Sequence, residues 1–149
     1  ELPVWVAFII LCVFVFIGIL FDIIGTAVMS ADPKSLNSMC TRQVKGAKKA
    51  LKWVQSADTV ANFCNDVMGD ISSVLSGSVG SVIAIGLADT FNFSKLISAV
   101  VVTALTSAIT VAGKSFGKNF AMKKANDIIF FFARLLSVFG EEKSKKKKK

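Results

Sequence analysis

"LPVWVAFIILCVFVFIGILFDIIGTAVMS", residues 2–30, decides how the rest of the chain is read: twenty uncharged residues run from Leu2 to Phe21 before Asp22 interrupts them. About twenty apolar residues is the length a helix needs to cross the hydrocarbon of a bilayer. The run is longer than the hydrophobic part of a secretory signal, has no basic segment before it and no small-residue cleavage site behind it, so it reads as a membrane span. No proline follows until Pro33, so the helix carries on through Asp22. A carboxylate at the end of a span requires a reason, because an Asp or Lys at mid-helix costs roughly 2.5–3.5 kcal/mol on a translocon scale.

The whole composition agrees with a membrane setting. Hydrophobic residues make up 53% of 149, histidine is absent, and the mean hydropathy is +0.62. A water-soluble core could not absorb that much apolar surface. Two further uncharged stretches, Ile71 to Ala88 and Leu96 to Gly113, are candidate spans. Val60, Phe63, Val67, Ile71 and Val74 recur at spacings of three and four, which places the start of the second span near Asp58. "DTFNFSK", residues 89–95, is a polar turn joining spans two and three as an antiparallel hairpin.

Basic residues gather in two blocks, Lys34 to Lys52 and Lys114 to Lys149. The positive-inside rule then puts the Glu1 end outside and both blocks in the cytoplasm of a multi-pass protein of the cell membrane. The formal charge of +8 is accounted for by topology and anionic lipid at the cytoplasmic face, and no nucleic-acid partner is expected. "TRQVKGAKKALKWVQS", residues 41–56, sets Val44, Ala47, Leu51 and Val54 against Arg42, Lys45, Lys49 and Lys52, which reads as an interfacial helix. Residues 120–139 repeat the design, with Met122, Ala125, Ile129, Phe132, Leu136 and Phe139 against Lys123, Lys124, Asp127 and Arg134. The fold class is therefore an all-α integral membrane protein. A transmembrane domain over residues 1–139 has spans near 2–30, 58–88 and 95–113, interfacial helices near 41–56 and 120–139, and a basic tail over 140–149.

Three cysteines, Cys12, Cys40 and Cys64, lie far apart, so neither a disulfide framework nor zinc is indicated. Without histidine a Ser or Cys nucleophile lacks its usual base, and no enzyme or organic cofactor is expected. The informative residues are the polar ones inside the spans: Gly18, Asp22, Gly25, Thr26 and Ser30 in the first; Asp58, Asn62, Asn65, Asp66, Asp70, Ser73 and Gly77 in the second; Thr103, Thr106, Ser107, Thr110 and Lys114 in the third. Small and hydroxylated residues let membrane helices pack closely. Intramembrane charges mark an ion path or a buried pair. Carboxylate, amide and hydroxyl oxygens without His or Cys are the ligands of hard cations such as Mg²⁺ or Na⁺. The candidate metal ligands are Asp22, Asn65 and Asp66, with Thr26, Asn62, Asp70 and Lys114 as further polar residues. The alternative is a non-transporting scaffold in which Asp22, Asp66 and Lys114 form a structural ion-pair lock. A small-residue stripe of Ser73, Gly77, Gly80 and Ala84 suggests a homodimer through spans two and three.

The order of parts resembles the transmembrane domain of the cyclin M and CorB/CorC magnesium transporters. The first-span pattern F-F-S-x-S-E-T-A-L is similar to "LFDIIGTAV" at Phe21, Thr26 and Ala27; G-N-N is similar to "CND" at Asn65; G-E-x-x-P-K-x-x-A is similar to "GKSFGKNFA" at Gly113, Lys118 and Ala121. The resemblance implies three spans, an outside N-terminus, a belt-like helix after span three, a homodimer and Mg²⁺ transport. The departures fall on functional positions: Asp22, Ile24 and Gly25 replace Ser, Ser and Glu, Asp66 replaces Asn, Lys114 replaces an acidic residue and Gly117 a proline. The mapped set stays anionic, with Lys114 as a tethered ammonium that sits where a metal or coupling ion would bind. No nucleotide-sensing CBS pair follows Phe139 in this sequence, so regulation by that route is not expected from it.

Overall fold

The computed structural model describes residues 3–92 and 94–146, with side chains through Leu135. Among them the secondary structure is helical: α1 Val4–Ser30, α2 Pro33–Thr41, α3 Ala47–Gln55, α4 Ala57–Asn62, a π-helical segment Phe63–Met68, α5 Gly69–Phe91, α6 Lys95–Lys123 and α7 Ala125–Lys146. Three runs are long and apolar enough to cross a membrane: Val4–Ser30, Ala57–Phe91 and Lys95–Lys123. The chain is an all-α membrane protein. Its contacts divide into two compact units, one holding α1 through Asp22 and the run Asn65–Gly117, the other holding Ile23–Cys64 and the chain from Lys118 onward.

The first unit is built by close approach rather than by large side chains. Ala7, Leu11 and Ile83 form its buried apolar cluster, with Val4, Val15, Val79, Leu87 and Val102 around them. Lipid tails are as apolar as leucine, so helices in a bilayer associate through packing and small residues. A Cβ at Gly86 would meet Val4 Cγ2 at 2.7 Å, and one at Gly113 would meet Ile19 Cδ1 at 2.5 Å. Glycine is thus a spacing requirement at both positions. The α5–α6 hairpin turns at Asn92, whose φ of 54° is left-handed and whose N–H donates to Ala88 O. Asp89 and Lys95 face each other across the turn at 3.7 Å, both exposed.

The second unit has a continuous apolar core. Ala27 and Val28 of α1, and Ala31 just after it, pack with Leu36, Ala50, Val54, Ala121, Ala125, Ile129 and Ala133, and Leu36, Ile129 and Val28 are the largest fully buried side chains among the described residues. Pro33 starts α2 because the first helical position needs no N–H, and the Asp32 side chain caps it by accepting from Lys34 N at 3.0 Å. The Asp32 N–H donates to Asn126 Oδ1 at 2.8 Å, tying the α1–α2 junction to α7.

Several boundaries differ from those the sequence suggests. Residues 41–56 do not form one helix: α2 ends at Thr41, and α3 begins at Ala47 after a link with Gln43 at φ 55° and Gly46 at φ 91°. The buried face of α3 is Ala47, Ala50 and Val54, with Leu51 half-buried, while Val44 lies in the exposed link. The third helix does not stop at Gly113 but runs to Lys123, because a glycine inside a packed helix costs only about 1 kcal/mol. Met122 consequently belongs to α6 and is exposed, whereas Ala125, Ile129 and Ala133 carry the buried face of α7. α7 continues past residue 139 to Lys146; Leu136 and Phe139 lie outside the described side chains.

Gly46 yields a direct test. Besides its left-handed φ, a Cβ there would sit 3.0 Å from Arg134 Cα and 3.1 Å from Arg134 N. Backbone cannot rotate away as a side chain can, so Gly46→Ala is expected to destabilise the protein by about 1–2 kcal/mol. A thermal melt in detergent should fall by about 2–8 °C; an unchanged melt would mean that α3 and α7 do not pack this closely.

Candidate cation site

Of the stripe expected on α1, Gly18, Asp22 and Gly25 are buried, with Asp22 only 5% exposed, while Thr26 is half-buried and Ser30 is exposed. Across from it the antiparallel register of α1 and α5 is set by two contacts. Val4 meets Gly86, and Ser72 Cβ lies 3.1 Å from where a Cβ of Gly18 would stand. Asp22 follows Gly18 by one turn on α1, and Asn65 precedes Ser72 by seven residues in the sequence.

The π segment governs which polar groups turn inward. It inserts extra backbone per turn relative to an α-helix and so shifts the phase of everything before it against α5. Asn65 becomes half-buried while Asp66 and Asp70 are exposed. Oδ1 of Asn65 and Oδ2 of Asp22 are sealed from the surroundings and accept no hydrogen bond; Asp22 as a residue is engaged through a further polar contact. A sealed amide oxygen without a donor is costly, since burying an unsatisfied polar group is worth about 1–3 kcal/mol.

Lys114 belongs to the same end of this unit. Its Nζ is 3.8 Å from the position a Cβ of Gly69 would take, and the side chain is half-buried. It forms neither an ion pair nor a hydrogen bond with a described residue, unlike the arrangement a lock with Asp22 and Asp66 would need. Asp22, Asn65, Asp66, Asp70 and Lys114 therefore share one compact unit, whereas Thr26 and Asn62 belong to the other. Among the described residues no group of three or more His, Cys, Asp or Glu side chains forms a metal cage. A cation held here would rely on carboxylate, amide oxygen, backbone carbonyls and water, which suits a hard ion that keeps part of its hydration shell.

Two buried hydroxyls escape sequence reasoning. The inner face of α5 is Gly69, Ser72, Ser76, Gly80 and Ile83, and not the stripe through Ser73 and Gly77. Its spacing of three and four was present in the sequence, but a serine-rich segment offers the same periodicity on several faces. Gly80 and Ala84 of the supposed dimer stripe are buried inside the chain, with Val102 Cγ1 3.9 Å from a Cβ of Gly80, while Gly77 has open space beside it.

Comparison with curated proteins and with solved structures gives no match. The profile of the cyclin M transmembrane N-terminal domain matches residues 9–140, a range that covers most of α1, all of α2 to α6 with the π segment, and α7 as far as residue 140. The chain belongs to the cyclin M transmembrane N-terminal domain family.

Proposed function

We propose that this protein moves a hard cation, Mg²⁺ in the first instance, across the cell membrane through a site centred on Asp22 and Asn65. The observation that carries this reading is Oδ1 of Asn65, an amide oxygen sealed from the surroundings with no donor, in the same compact unit as the buried carboxylate of Asp22. Such an oxygen has no packing advantage over an apolar atom and is stabilised by a cation. Asp66, exposed on the π segment, is the acidic group that would first meet the ion. Lys114 is the charge partner: its ammonium lowers the affinity of the acidic set and makes release easier. Family membership supports the reading through the magnesium transport the resemblance implies. Na⁺ is the alternative ion, and no enzymatic step is assigned.

Calorimetric binding and thermal melts with and without millimolar Mg²⁺ test it. Wild type should gain stability with Mg²⁺ as binding to the native state requires. Asp22→Asn should weaken binding by about tenfold or more, the order of one lost charge-assisted contact. Lys114→Ala should strengthen it. If no variant binds Mg²⁺ or Na⁺, transport through this site is wrong.

Orientation follows from the basic blocks, which we assign to the cytoplasm with anionic lipid against the exposed Lys45, Lys48 and Lys52. A reporter inserted after Lys52 is expected to be cytoplasmic and one at Asn92 external. External labelling after Lys52 would invert the assignment.

A further inference from the structure

Of the six hydroxyls on α5, five are folded back on their own helix. Ser73 Oγ donates to Gly69 O at 2.8 Å, Ser76 Oγ to Ser73 O at 3.0 Å, Ser78 Oγ to Val74 O at 2.9 Å, Ser81 Oγ to Ser78 O at 2.7 Å and Thr90 Oγ1 to Gly86 O at 2.7 Å. Ser and Thr bond back in this way in helices that lack water. Ser72 is the exception. It is only 6% exposed, and its hydroxyl makes no hydrogen bond to a described residue.

Ser72 turns toward α1. A Cβ on Gly18 would stand 3.1 Å from Ser72 Cβ and 3.6 Å from Ser72 Oγ, so the missing side chain of Gly18 leaves the hydroxyl its room. Asp22 is buried one turn further along α1, a rise of about 6 Å. In the other direction, toward the hairpin, the contact is dry. The next inward residues of α5 are Ser76, whose hydroxyl is already bonded, then Gly80 and Ile83, and Ile83 closes against Ala7 and Leu11. On this face of α5, Ser72 is the last hydroxyl without a bond before the apolar cluster begins.

We propose that Ser72 is a transit ligand for the cation: its hydroxyl oxygen takes the partly hydrated ion between the site at Asp22 and Asn65 and the hairpin end of the α1–α5 contact. This rests on the cation reading above and adds to it a residue and a route. A buried hydroxyl that gives up the bond to its own helix is stabilised by whatever comes to meet it, and a hydroxyl oxygen is a hard ligand suited to Mg²⁺ or Na⁺. Being neutral, it holds an ion weakly enough to let it go, as a position along a path must. A serine that served only to let two helices approach would lose nothing on becoming alanine, because a methyl group keeps the same close contact.

The test is Mg²⁺ flux of the full chain in proteoliposomes holding a Mg²⁺-sensitive dye, beside calorimetric Mg²⁺ binding and thermal melts of the same proteins in detergent. Ser72→Ala should melt no lower than wild type, because the hydroxyl has no bond to lose. It should bind Mg²⁺ within about twofold of wild type yet move it about tenfold more slowly, the order of one lost contact between ion and oxygen. Ser78→Ala removes a hydroxyl that is exposed and bonded back, and should leave flux, binding and melt unchanged. Ser72→Cys replaces a hard ligand with a soft one, so Cd²⁺ should block its flux at a concentration that spares wild type, and a chelator should restore it. Three results would each overturn the role of Ser72 and leave the cation site standing: undiminished flux in Ser72→Ala, a flux loss matched by lost affinity or a lowered melt, or equal sensitivity of Ser72→Cys and wild type to Cd²⁺. Wild type that binds and moves neither Mg²⁺ nor Na⁺ would remove the site and the route together.

Discussion

Leu36→Ala is expected to lower stability by about 2–5 kcal/mol, the range for removing a fully buried leucine and leaving a cavity. Leu36 is one of the largest fully buried side chains among the described residues, and it lies on a helix of nine residues. So short a helix has little stability of its own and is held by its packing. The other fully buried members of its core are mostly alanines, whose side chains are too short to reach into vacated space. Thermal melts in detergent should fall by about 10 °C, at about 2–4 °C per kcal/mol for a chain of this size. Mg²⁺ binding should survive at temperatures where the variant stays folded, because Leu36 belongs to the unit that does not hold Asp22 and Asn65. A fall of less than 2 °C would show that α2 is not anchored by Leu36.

Asn65→Leu should do the opposite to stability and abolish the cation response. Replacing the amide removes a sealed oxygen that accepts no hydrogen bond, and relieving such a group is worth about 1–3 kcal/mol. Leucine branches at Cγ as asparagine does and suits a membrane helix. In the absence of divalent cation the variant should melt about 2–10 °C above wild type. Added Mg²⁺ should then stabilise wild type and leave Asn65→Leu unmoved. A variant less stable than wild type without cation would mean that the amide has a structural partner; a variant that still responds to Mg²⁺ would remove Asn65 from the site. Sites that bind ions often cost the fold stability, so a gain in stability joined to a loss of binding is the signature of a functional residue.

Asp22 was legible as a candidate because a charge stands out against twenty uncharged residues, and its burial agrees with that reading. Asp66 and Asp70 had the same claim from sequence and are exposed instead. The difference is the π segment at Phe63–Met68. A periodicity of 3.6 carried through Asn62, Asn65, Asp66 and Asp70 assumes an unbroken α-helix, and nothing in "FCNDVM" announces the wider turn. The serine and threonine stripes are a separate matter. A hydroxyl counts as polar in a sequence, yet its surface character depends on whether it reaches outward or bonds back to its own helix.

The amphipathic segments show the same division. Alternating lysines and apolar residues over 41–56 signalled one exposed basic face, and Lys45, Lys48 and Lys52 are exposed. The break at Gln43 to Gly46 was hidden because Gly46 could serve as an ordinary helical residue until Arg134 of α7 approaches to within 3.0 Å of its missing Cβ. By itself the sequence determined the helical class, the number of long apolar helices and the family. Those depend on hydrophobic length and order, which are summed over many residues and survive local error. Only the tertiary structure decided which face of each helix is inward, where α3 and α7 begin, and that Asn65 is the polar group left unsatisfied. Those depend on helical phase, which a single π turn or one close contact from a distant helix resets.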